Sequence, residues 1–351
     1  MTEPLAAWDG RLTRIAFVTE GGSTVGLGHV TRCAALARVV AGGGASVSFV
    51  VPPDPQVLAL LRQQWSDVVP VPWTTDPAAA LNTLRLREAD VVVVDGYSTG
   101  PEFLRALRSV AGQVVAVDDA ADRELPVDVV VNGGVSAERL PYRRTPDTVF
   151  LLGPSYALLD PAYAELPDSS SGERVRRTLV CLGGGRYGDA ILEVLGGLDV
   201  AVGDCAVDVA AGPFSHDWPE LDAAAQSSRH RVSIHRDRFG LRDLMLTADI
   251  AVSGGGVTLY ELAATGTPTV ALQTADNQAG NVEGFERADA ALVVRAGGNV
   301  ALSESLATAL GRLAGDRALR ASMGARGRRL VDGRGAFRVA AALARMPISR
   351  R

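Results

Sequence analysis

An imidazole and a guanidinium stand three residues apart in the segment Gly26–Arg32, which reads GLGHVTR. The preceding run Arg14–Glu20 is apolar enough for a buried strand, and a helical apolar stripe follows, so a helix is predicted to begin near His29. On that helix His29 and Arg32 share one face. Free amides at a glycine-lined helix start attract anions, so the pattern predicts a site for a negatively charged, phosphorylated ligand. Alternatively, the glycines only make a tight turn and His29 caps the helix.

Two familiar nucleotide-binding patterns are absent from this segment. The pattern G-x-G-x-x-G fails because Thr31 stands at its last position, and the Walker pattern fails because no Gly-Lys-Ser/Thr occurs. All 35 basic residues are arginine, which excludes chemistry that depends on a lysine Schiff base, a pyridoxal anchor or a phosphate-loop lysine. No bound cofactor is predicted.

Acidic residues follow two further strand-like runs of the first half. Asp95 comes directly after one run, and Asp118 and Asp119 come directly after another. Because the carboxyl ends of parallel strands meet at one edge of a sheet, these side chains are expected near the imidazole. A carboxylate there could orient the imidazole or bind sugar hydroxyls, whereas Asp118 and Asp119 could equally cap a helix N-terminus.

Two glycine turns in the second half follow strand-like runs, at Gly183–Gly185 and at Gly254–Thr258. Such turns form backbone nests suited to a diphosphate. Glu261 would lie near a ribose if the diphosphate occupied the following helix start, or it could favour that helix start through the dipole alone. Asn277 and Gln278 occupy a loop and could hydrogen-bond hydroxyls, or simply cap the next helix.

Strand-like runs alternate with helix-like patterns along the chain. The runs are Ile15–Thr19, Val47–Val51, Asp90–Val94, Val114–Val117, Val127–Val131, Thr178–Leu182, Val207–Ala211, Asp249–Val252, Thr269–Leu272 and Ala291–Val294. Alternating βα units with continuous Val/Ile runs imply parallel sheets covered on both faces. With 351 residues, we predict two doubly wound α/β domains, 1–165 and 178–351, with a linker at 166–177, the ligand between them and the last helix able to pack back on the first domain.

The composition, 47% hydrophobic and 21% charged, is that of an ordinary soluble globular protein. A formal charge of −5 disfavours a nucleic-acid partner, because phosphate backbones require a basic face, and it permits a homodimer. Cys33, Cys181 and Cys205 are odd in number and far apart, so a reducing compartment, the cytoplasm, is expected. Neither a signal pattern nor a run of about 18 apolar residues occurs, so no export and no integral membrane segment are predicted.

Among the four histidines, only His29 is a candidate for catalysis. His216, His230 and His235 lack the spacing of metal ligands, so no metal site is predicted and surface roles are expected for them. An imidazole accepts protons near neutral pH, which makes His29 the candidate general base of a metal-independent reaction.

Several motifs run through most of the chain in one order. They are GSTVGLGHVTRC at Gly22–Cys33, VVDGY at Val93–Tyr97, VDDAADR at Val117–Arg123, LLGPSYALLDPAY at Leu151–Tyr163, SGGGVTLYELAATGTPTVAL at Ser253–Leu272, NQ at Asn277 and Gln278, and VDGRGAFRV at Val331–Val339. In these motifs the chain resembles the nucleotide-sugar enzymes represented by the flagellin-sugar hydrolase of the pseudaminic-acid pathway, which cleaves UDP-2,4-diacetamido-2,4,6-trideoxyaltrose, and by the spore-coat polysaccharide glycosyltransferases.

The resemblance implies a glycosyltransferase-B (GT-B) architecture, in which two Rossmann-like parallel-sheet domains face each other across a cleft and the second holds most of the donor nucleotide. His29 matches the family's catalytic histidine, a general base. The residues expected at the substrate and sugar are Gly28, Arg32, Asp95, Tyr97, Asp118, Asn277 and Gln278. The residues expected at the nucleotide and diphosphate are Gly184, Gly185, Arg186, Gly254, Gly255, Gly256, Val257, Thr258 and Glu261.

The chain departs from the family pattern at two places. Hydrolases often carry histidine between the Asp and Tyr of the pocket motif, where this chain has Gly96. The second-domain turn usually reads Gly-Gly-Ser/Thr-Asp, whereas here Arg186 follows the glycines and could supply a charge-assisted contact. Since the pocket motif departs from the hydrolase pattern, we predict an inverting transferase that moves a sugar from a UDP-linked donor to a small-molecule or glycan acceptor. The alternatives are a hydrolase of a UDP-sugar and a nucleotide-sugar-binding protein without turnover.

Overall fold

The structure, a computed structural model, describes residues 13–167, 172–184, 187–215, 218–236, 240–295 and 301–348. The chain divides into two compact units. Unit 1 falls within Met1–Pro161 and Gly333–Arg351, and unit 2 within Ala162–Asp332. The predicted first domain ended at 165, so the division comes four residues earlier, and the C-terminal segment joins the first unit.

Unit 1 contains a seven-stranded sheet in which all strand pairs are parallel. Its strands are β1 (Arg14–Thr19), β2 (Ser46–Val51), β3 (Val68–Pro70), β4 (Val91–Asp95), β5 (Gln113–Val117), β6 (Val129–Asn132) and β7 (Val149–Leu152). The spatial order is β3-β2-β1-β4-β5-β6-β7. The chain therefore winds outward in opposite directions from the β1/β4 pair, which makes that pair the topological switch point of the sheet.

Four helices of unit 1 each follow one of the strands β1 to β4. They are α1 (Gly28–Gly42), α2 (Pro55–Arg62), α3 (Pro77–Leu86) and α4 (Pro101–Leu107). Asp54 and Asp76 accept backbone hydrogen bonds at the starts of α2 and α3, each followed by proline, whose fixed φ suits the first helical position. The predicted stripe of α1 is buried, from Val30 to Val40. Apolar side chains around Trp73 fill one core of the unit.

Unit 2 contains a six-stranded parallel sheet with the order β10-β9-β8-β11-β12-β13. Its strands are β8 (Arg177–Cys181), β9 (Ala206–Ala211), β10 (Arg231–Arg236), β11 (Ile250–Gly254), β12 (Thr269–Gln273) and β13 (Leu292–Arg295). The helices are α5 (Gly188–Ala201), α6 (Trp218–Ser227), α7 (Arg242–Thr247), α8 (Val257–Thr265), α9 (Ala279–Arg287), α10 (Leu302–Gly315) and α11 (Arg317–Leu330). The β8/β11 pair is the switch point of this sheet.

The last helix, α12 (Gly335–Arg345), returns to unit 1 and packs on α1 and on the 3-10 turn Pro154–Tyr156. A side chain at Gly335 would place its Cβ 2.1 Å from the carbonyl oxygen of Ala157, so glycine is required for this close approach. Among the described residues, no helix combines the length and the apolar character needed to cross a membrane.

The predicted α/β class with parallel sheets is confirmed, and every predicted strand is present with its ends shifted by a residue or two. Three strands escaped prediction, namely β3, β7 and β10. All three lie at sheet edges. β3 is only three residues long, β7 has an apolar run of only four residues whose first is exposed, and β10 alternates polar with apolar residues.

Candidate functional site

The switch point of unit 1 brings the predicted imidazole and carboxylate together. The loop after β1 leads into α1, and β4 ends at Asp95, which pairs in register with Thr19 of β1. Gly22 and Gly26 adopt positive φ angles of 145° and 75° and exchange backbone hydrogen bonds, so these glycines do make a tight turn. His29 does not cap α1, because Leu27 is the N-cap and His29 lies inside the first turn.

His29 is 5% exposed, and its Nδ1 lies 2.7 Å from Oδ1 of Asp95. An ionised carboxylate can only accept, so Nδ1 carries the proton and donates it. The opposite nitrogen, Nε2, then holds a lone pair. Within the described residues no group bonds to Nε2, and this nitrogen is not sealed from solvent. A base of this kind can take a proton from a group that approaches the surface of unit 1.

Arg32 completes the support of this pair. Its Nε and Nη2 donate to Oδ2 and Oδ1 of Asp95 at 2.6 and 2.7 Å, and its Nη1 donates to both oxygens of Asp119 at 2.8 Å. Nη2 also lies 3.0 Å from Nδ1 of His29, but both nitrogens are donors when Nδ1 is protonated, so this contact is not a hydrogen bond. These carboxylates engage every nitrogen of Arg32, which argues against a direct bond to a phosphorylated ligand, and the predicted substrate contact of Arg32 stays a prediction.

Asp95 is fully buried and ionised. Burial opposes ionisation, but the positive charge of Arg32 and the hydrogen bonds from Arg32 and His29 outweigh it and hold the pKa of Asp95 well below its usual range. The carboxylate is therefore a fixed acceptor throughout the neutral range. Of the two roles expected for a carboxylate here, its geometry fits orientation of the imidazole, since its oxygens are occupied by protein donors. Burial, aided by Asp95, raises the pKa of the neighbouring Cys33 thiol, which is not a nucleophile.

Tyr97 lies on the exposed side of the imidazole. Its ring stands edge-on to His29 with centroids 4.7 Å apart and an interplanar angle of 83°, and the residue is 42% exposed. An aromatic ring that is half in contact with the base and half open to solvent provides an apolar surface for a ligand.

The loop after β4 is held by Glu20 and Arg123, which no sequence pattern predicted as functional. Glu20, which follows β1, accepts a 2.6 Å hydrogen bond from the Ser98 amide. Arg123 donates to the backbone oxygen and the hydroxyl of Thr99 at 2.8 and 2.9 Å. A Cβ at Gly96 would lie 2.7 Å from the Glu20 carboxylate, so glycine is needed here. A signal existed, because an acidic residue directly after a buried apolar strand is unusual without a partner.

Asp118 serves the local fold. It is 3% exposed, and its Oδ2 accepts hydrogen bonds from the amides of Ala120 and Ala121 and from the hydroxyl of Tyr142. The next element after Asp118 is the strand β6, so its alternative role as a helix cap is wrong and the residue closes an Asx turn instead. Its contacts occupy it with protein groups, which argues against its predicted role in binding sugar.

In unit 2 the glycine turn after β11 faces the end of β8. A Cβ at Gly254 would lie 2.5 Å from the carbonyl oxygen of Leu182, and a Cβ at Gly255 would lie 2.6 Å from Val282. By contrast, a Cβ at Gly256 would meet no atom within 4 Å. The first two glycines are therefore required by packing, whereas Gly256 borders open space.

Gln278 and Asn281 hold the Gly255 peptide from both sides. The side-chain oxygen of Gln278 accepts from the amide of Gly255 at 2.9 Å and from the amide and hydroxyl of Thr274 at 3.2 and 2.9 Å. The side-chain amide of Asn281 donates to the Gly255 carbonyl at 3.0 Å. The Gly255 amide is thus unavailable to a phosphate, which corrects its predicted role. The Gln278 oxygen likewise is occupied by the fold, while the neighbouring Asn277 lies exposed in the 3-10 turn Asp276–Gln278.

The start of α8 retains open donors. No residue in the described ranges accepts a hydrogen bond from the amides of Gly256, Val257 or Thr258, and the N-cap makes no side-chain bond. Unpaired amides at a helix N-terminus, reinforced by the helix dipole, attract anions. Glu261 lies one turn further along α8 and is partly exposed. Burial of the Cys181 thiol, together with the negative charge of Glu261, raises the pKa of Cys181 to about 12.

The second predicted turn is described only in part. Gly183 has a φ of 115°, and a Cβ at Gly212 would lie 2.7 Å from the Cα of Gly184, so the turns after β8 and β9 pack closely. Gly185 and Arg186 lie outside the described residues, as does His216. His230 is not a surface residue as expected, because it is 5% exposed with Nδ1 3.6 Å from the sulfur of Cys205. His235 is paired with Asp208 at 2.8 Å.

Comparison with known proteins places both units in a known architecture. No protein-family model matches the chain. The chain is 26% identical over 344 residues to the spore coat polysaccharide biosynthesis protein SpsG of Bacillus subtilis, which covers 94% of this chain and 97% of that protein. It is 23% identical over 270 residues to an uncharacterized protein of Methanocaldococcus jannaschii, covering 74% of this chain but only 55% of that longer relative.

Solved structures with the same fold include several glycosyltransferases. The Acinetobacter baumannii MurG structure has a TM-score of 0.67 at 16% identity and covers 95% of this chain and 100% of that one. The calicheamicin glycosyltransferase CalG4 has a TM-score of 0.63 at 17% identity, covering 96% and 99%. The spinosyn rhamnosyltransferase SpnG, solved with thymidine diphosphate, has a TM-score of 0.60 at 15% identity, covering 95% and 99%. The predicted GT-B fold and the resemblance to the spore-coat branch are confirmed.

Proposed function

We propose that this GT-B protein is an inverting glycosyltransferase that moves a sugar from a UDP-linked donor to a small-molecule or glycan acceptor. The observation that carries the proposal is the pair formed by His29 and Asp95, in which the buried carboxylate holds Nδ1 and leaves Nε2 open. A protein that only bound a nucleotide sugar would have no need of a base oriented in this way.

In the proposed reaction His29 acts as the general base. Nε2 takes the proton from the acceptor hydroxyl as its oxygen attacks the anomeric carbon of the sugar. The bond between that carbon and the phosphate oxygen breaks, and its electron pair leaves with the diphosphate. The imidazolium that forms is stabilised by the carboxylate of Asp95, 2.7 Å from Nδ1. Attack from the face opposite the leaving group inverts the anomeric centre.

Unit 2 supplies the site for the leaving diphosphate in this proposal. The open amides of Gly256, Val257 and Thr258 can donate to phosphate oxygens as negative charge develops on them. Preorganised donors of this kind contribute about 3 kcal/mol each in comparable sites. In this proposal Glu261, one turn along α8, accepts hydrogen bonds from ribose hydroxyls. The structural relative SpnG was solved with thymidine diphosphate, which supports a pyrimidine nucleoside diphosphate.

A hydrolase that delivers water to the same carbon is the alternative, because the base would be the same. Transfer is favoured by Gly96, which stands where the hydrolase pattern often carries histidine. A histidine there would require the Glu20 carboxylate to move, since a Cβ already lies 2.7 Å from it. The pocket beside Tyr97 therefore differs from the hydrolase pattern in shape and in polar groups.

The experiment is an assay of nucleotide release from a panel of nucleotide sugars, each with and without candidate acceptors, followed by mass spectrometry. We expect release of UDP that requires an acceptor and persists in EDTA, since the proposed reaction uses no metal. Release without any acceptor would replace the transferase by the hydrolase. If the protein binds nucleotide sugars but releases no nucleotide under any condition, it is a binding protein without turnover.

The variant His29→Gln tests the base itself. We expect turnover to fall by about 10²–10⁴-fold while the affinity for UDP, measured by titration calorimetry, stays at the wild-type value. Glutamine keeps much of the volume and polarity but accepts no proton at neutral pH. A turnover within a factor of three of the wild type would refute the role of His29.

A further inference from the structure

Glu20 is a buried carboxylate at the switch point of unit 1. It directly follows β1, is 4% exposed, and its own amide donates to the Asp95 carbonyl at 3.1 Å. One carboxylate oxygen, Oε1, accepts the 2.6 Å hydrogen bond from the Ser98 amide. A charge that is so far removed from water normally has partners on both oxygens, because the cost of burying an unpaired carboxylate is high.

The second oxygen of Glu20 has no such partner. Across the described residues, no donor bonds to Oε2, yet this atom is not among the side-chain oxygens that are both unpaired and sealed from solvent. Oε2 therefore keeps some contact with solvent, although the residue as a whole is buried. The loop bond on Oε1 fixes its direction, so it is a preoriented acceptor.

The position of this oxygen is set by the same loop that contacts the base. The Glu20 carboxylate lies 2.7 Å from where a Cβ of Gly96 would be. On either side of Gly96 stand Asp95, hydrogen-bonded to His29, and Tyr97, whose ring is 4.7 Å from the imidazole. Glu20 is thus adjacent to the segment that forms the base, although it makes no bond to His29.

The charge around the base determines what Oε2 can bind. Four carboxylates, those of Glu20, Asp95, Asp118 and Asp119, stand against two guanidiniums. Arg32 is shared between Asp95 and Asp119, and Arg123 lies 3.2 Å from Asp118 and 3.4 Å from the Gly96 carbonyl oxygen. With a neutral imidazole the cluster carries an excess of negative charge. A phosphate or carboxylate would be repelled there, whereas a hydroxyl, an amide N–H or an ammonium group would be attracted.

We propose that Glu20 is a specificity-determining residue of unit 1, whose Oε2 accepts a hydrogen bond from a hydroxyl, amide N–H or ammonium group of the donor's sugar or of the acceptor. The proposal rests on the function proposed above. It assigns the recognition of a hydrogen-bond donor group to a side chain separate from the general base.

The test compares Glu20→Gln with the wild type. The glutamine oxygen can keep the bond from the Ser98 amide while the side-chain NH₂ replaces the accepting Oε2, so the loop is retained and the acceptor is lost. We expect the same melting temperature and the same affinity for UDP alone. Losing a charged acceptor weakens binding of the group it recognises by about 10–100-fold.

Two arms identify the source of that group. If it belongs to the donor sugar, the nucleotide sugar loses its affinity relative to UDP in calorimetry without acceptor. If it belongs to the acceptor, KM for the acceptor rises at saturating donor. Glu88→Gln is the matched control, because the Glu88 side chain is 72% exposed beside Arg14 at the opposite edge of the sheet, and we expect no change in either arm.

Three outcomes overturn the inference. The first is a Glu20→Gln variant that binds donor and acceptor as the wild type does. The second is a variant that loses UDP affinity and melting temperature together, as expected of a residue that only supports the fold. Glu20→Ala also loses the bond from the Ser98 amide. If Glu20→Gln binds normally and Glu20→Ala binds poorly, Glu20 only supports the loop. A wild type that binds no nucleotide sugar would refute the proposed function itself, and this inference with it.

Discussion

A single buried carboxylate, Asp95, decides which nitrogen of His29 carries the proton. Its two oxygens receive Nδ1 of His29 and two nitrogens of Arg32 at 2.6–2.7 Å, so the imidazole has one tautomer that satisfies every partner. An oriented, neutral imidazole is the state required of a general base. Arg32, in turn, balances the charge of Asp95, so the guanidinium acts on the reaction only through the carboxylate.

At this scale we predict that Asp95→Asn lowers turnover by about 10³–10⁴-fold. The amide can donate to Nδ1 and stabilise the wrong tautomer, which places the proton on Nε2. The affinity for UDP should be unchanged, because the nucleotide is assigned to unit 2. The control is Asp119→Asn, which alters the other, 37% exposed partner of Arg32, and it should cost less than tenfold. Equal losses in both variants would contradict the assigned tautomer.

The same carboxylate makes the stability of unit 1 depend on pH. Because its pKa is depressed in the folded protein, ionised Asp95 contributes stability that is fully present above the unfolded value of about 3.9 and is lost as the pH falls toward the folded value. We expect the difference in unfolding free energy between wild type and Asp95→Asn to be constant from pH 5 to 7 and to shrink below pH 4. Urea unfolding at each pH measures it, and a difference that grows on acidification would reverse the assignment.

Among the elements, the start of α8 is where the structure separates glycines needed for packing from a glycine that borders open space. Gly254 approaches the Leu182 carbonyl and Gly255 is held by Gln278, whereas nothing lies within 4 Å of a Cβ at Gly256. Gly256 has φ −88° and ψ −158°, an extended conformation open to any residue. Folding alone does not explain glycine there, and an approaching ligand would.

This contrast predicts opposite effects of two similar substitutions. Gly256→Ala should fold with wild-type stability and weaken UDP binding by about tenfold, or ~1.4 kcal/mol, because the methyl group occupies the space beside the open amides. Gly254→Ala should lower the melting temperature, since its Cβ would lie 2.5 Å from a backbone oxygen. Gly311→Ala in α10 is the control, with its nearest atom at 3.8 Å and no expected change in UDP affinity. If calorimetry shows that Gly256→Ala binds UDP as the wild type does, the assignment of the diphosphate to the start of α8 is wrong.

For the whole molecule, the return of α12 ties the end of the chain to the helix that carries the base. The helix packs on α1 and on the turn before Ala157, with Val339 and Leu343 fully buried. Unit 1 is thus built from two separate stretches of chain, and unit 2 lies between them in sequence. The stability of the base site therefore depends on residues three hundred positions away from it.

We predict that Gly335→Ala destabilises unit 1 selectively. Its Cβ would lie 2.1 Å from the Ala157 oxygen, so α12 must shift, and strain of this kind costs about 1–3 kcal/mol. Scanning calorimetry should show an earlier transition and reduced turnover, while UDP affinity is retained by unit 2. Gly196→Ala in α5, where a Cβ meets nothing within 4 Å, provides the matched control. If Gly335→Ala lost UDP affinity and Gly196→Ala did not, UDP binding would depend on unit 1 as well as on unit 2.

The amino-acid sequence by itself determined the local elements and the candidate base. Continuous Val runs before Asp95 and the apolar stripe of α1 follow from periodicity, and the start of α1 within a residue of His29 follows from the glycine turn. These features depend on neighbours in the chain, which is why pattern reasoning finds them. Short or edge strands such as β10 were missed because half-exposed residues weaken the pattern.

Only the tertiary structure decided which side chains are free to act. His29 and Asp95 are 66 positions apart, Arg32 and Asp119 87, and Gly255 and Gln278 23, so no local pattern reveals their bonds. Arg32 and Gln278 looked like ligand-binding groups in the sequence, yet both are occupied by protein partners, whereas Glu20 was overlooked and has an unoccupied oxygen. The physical reason is that a polar group's hydrogen-bonding capacity is finite, and the fold determines whether protein or ligand uses it.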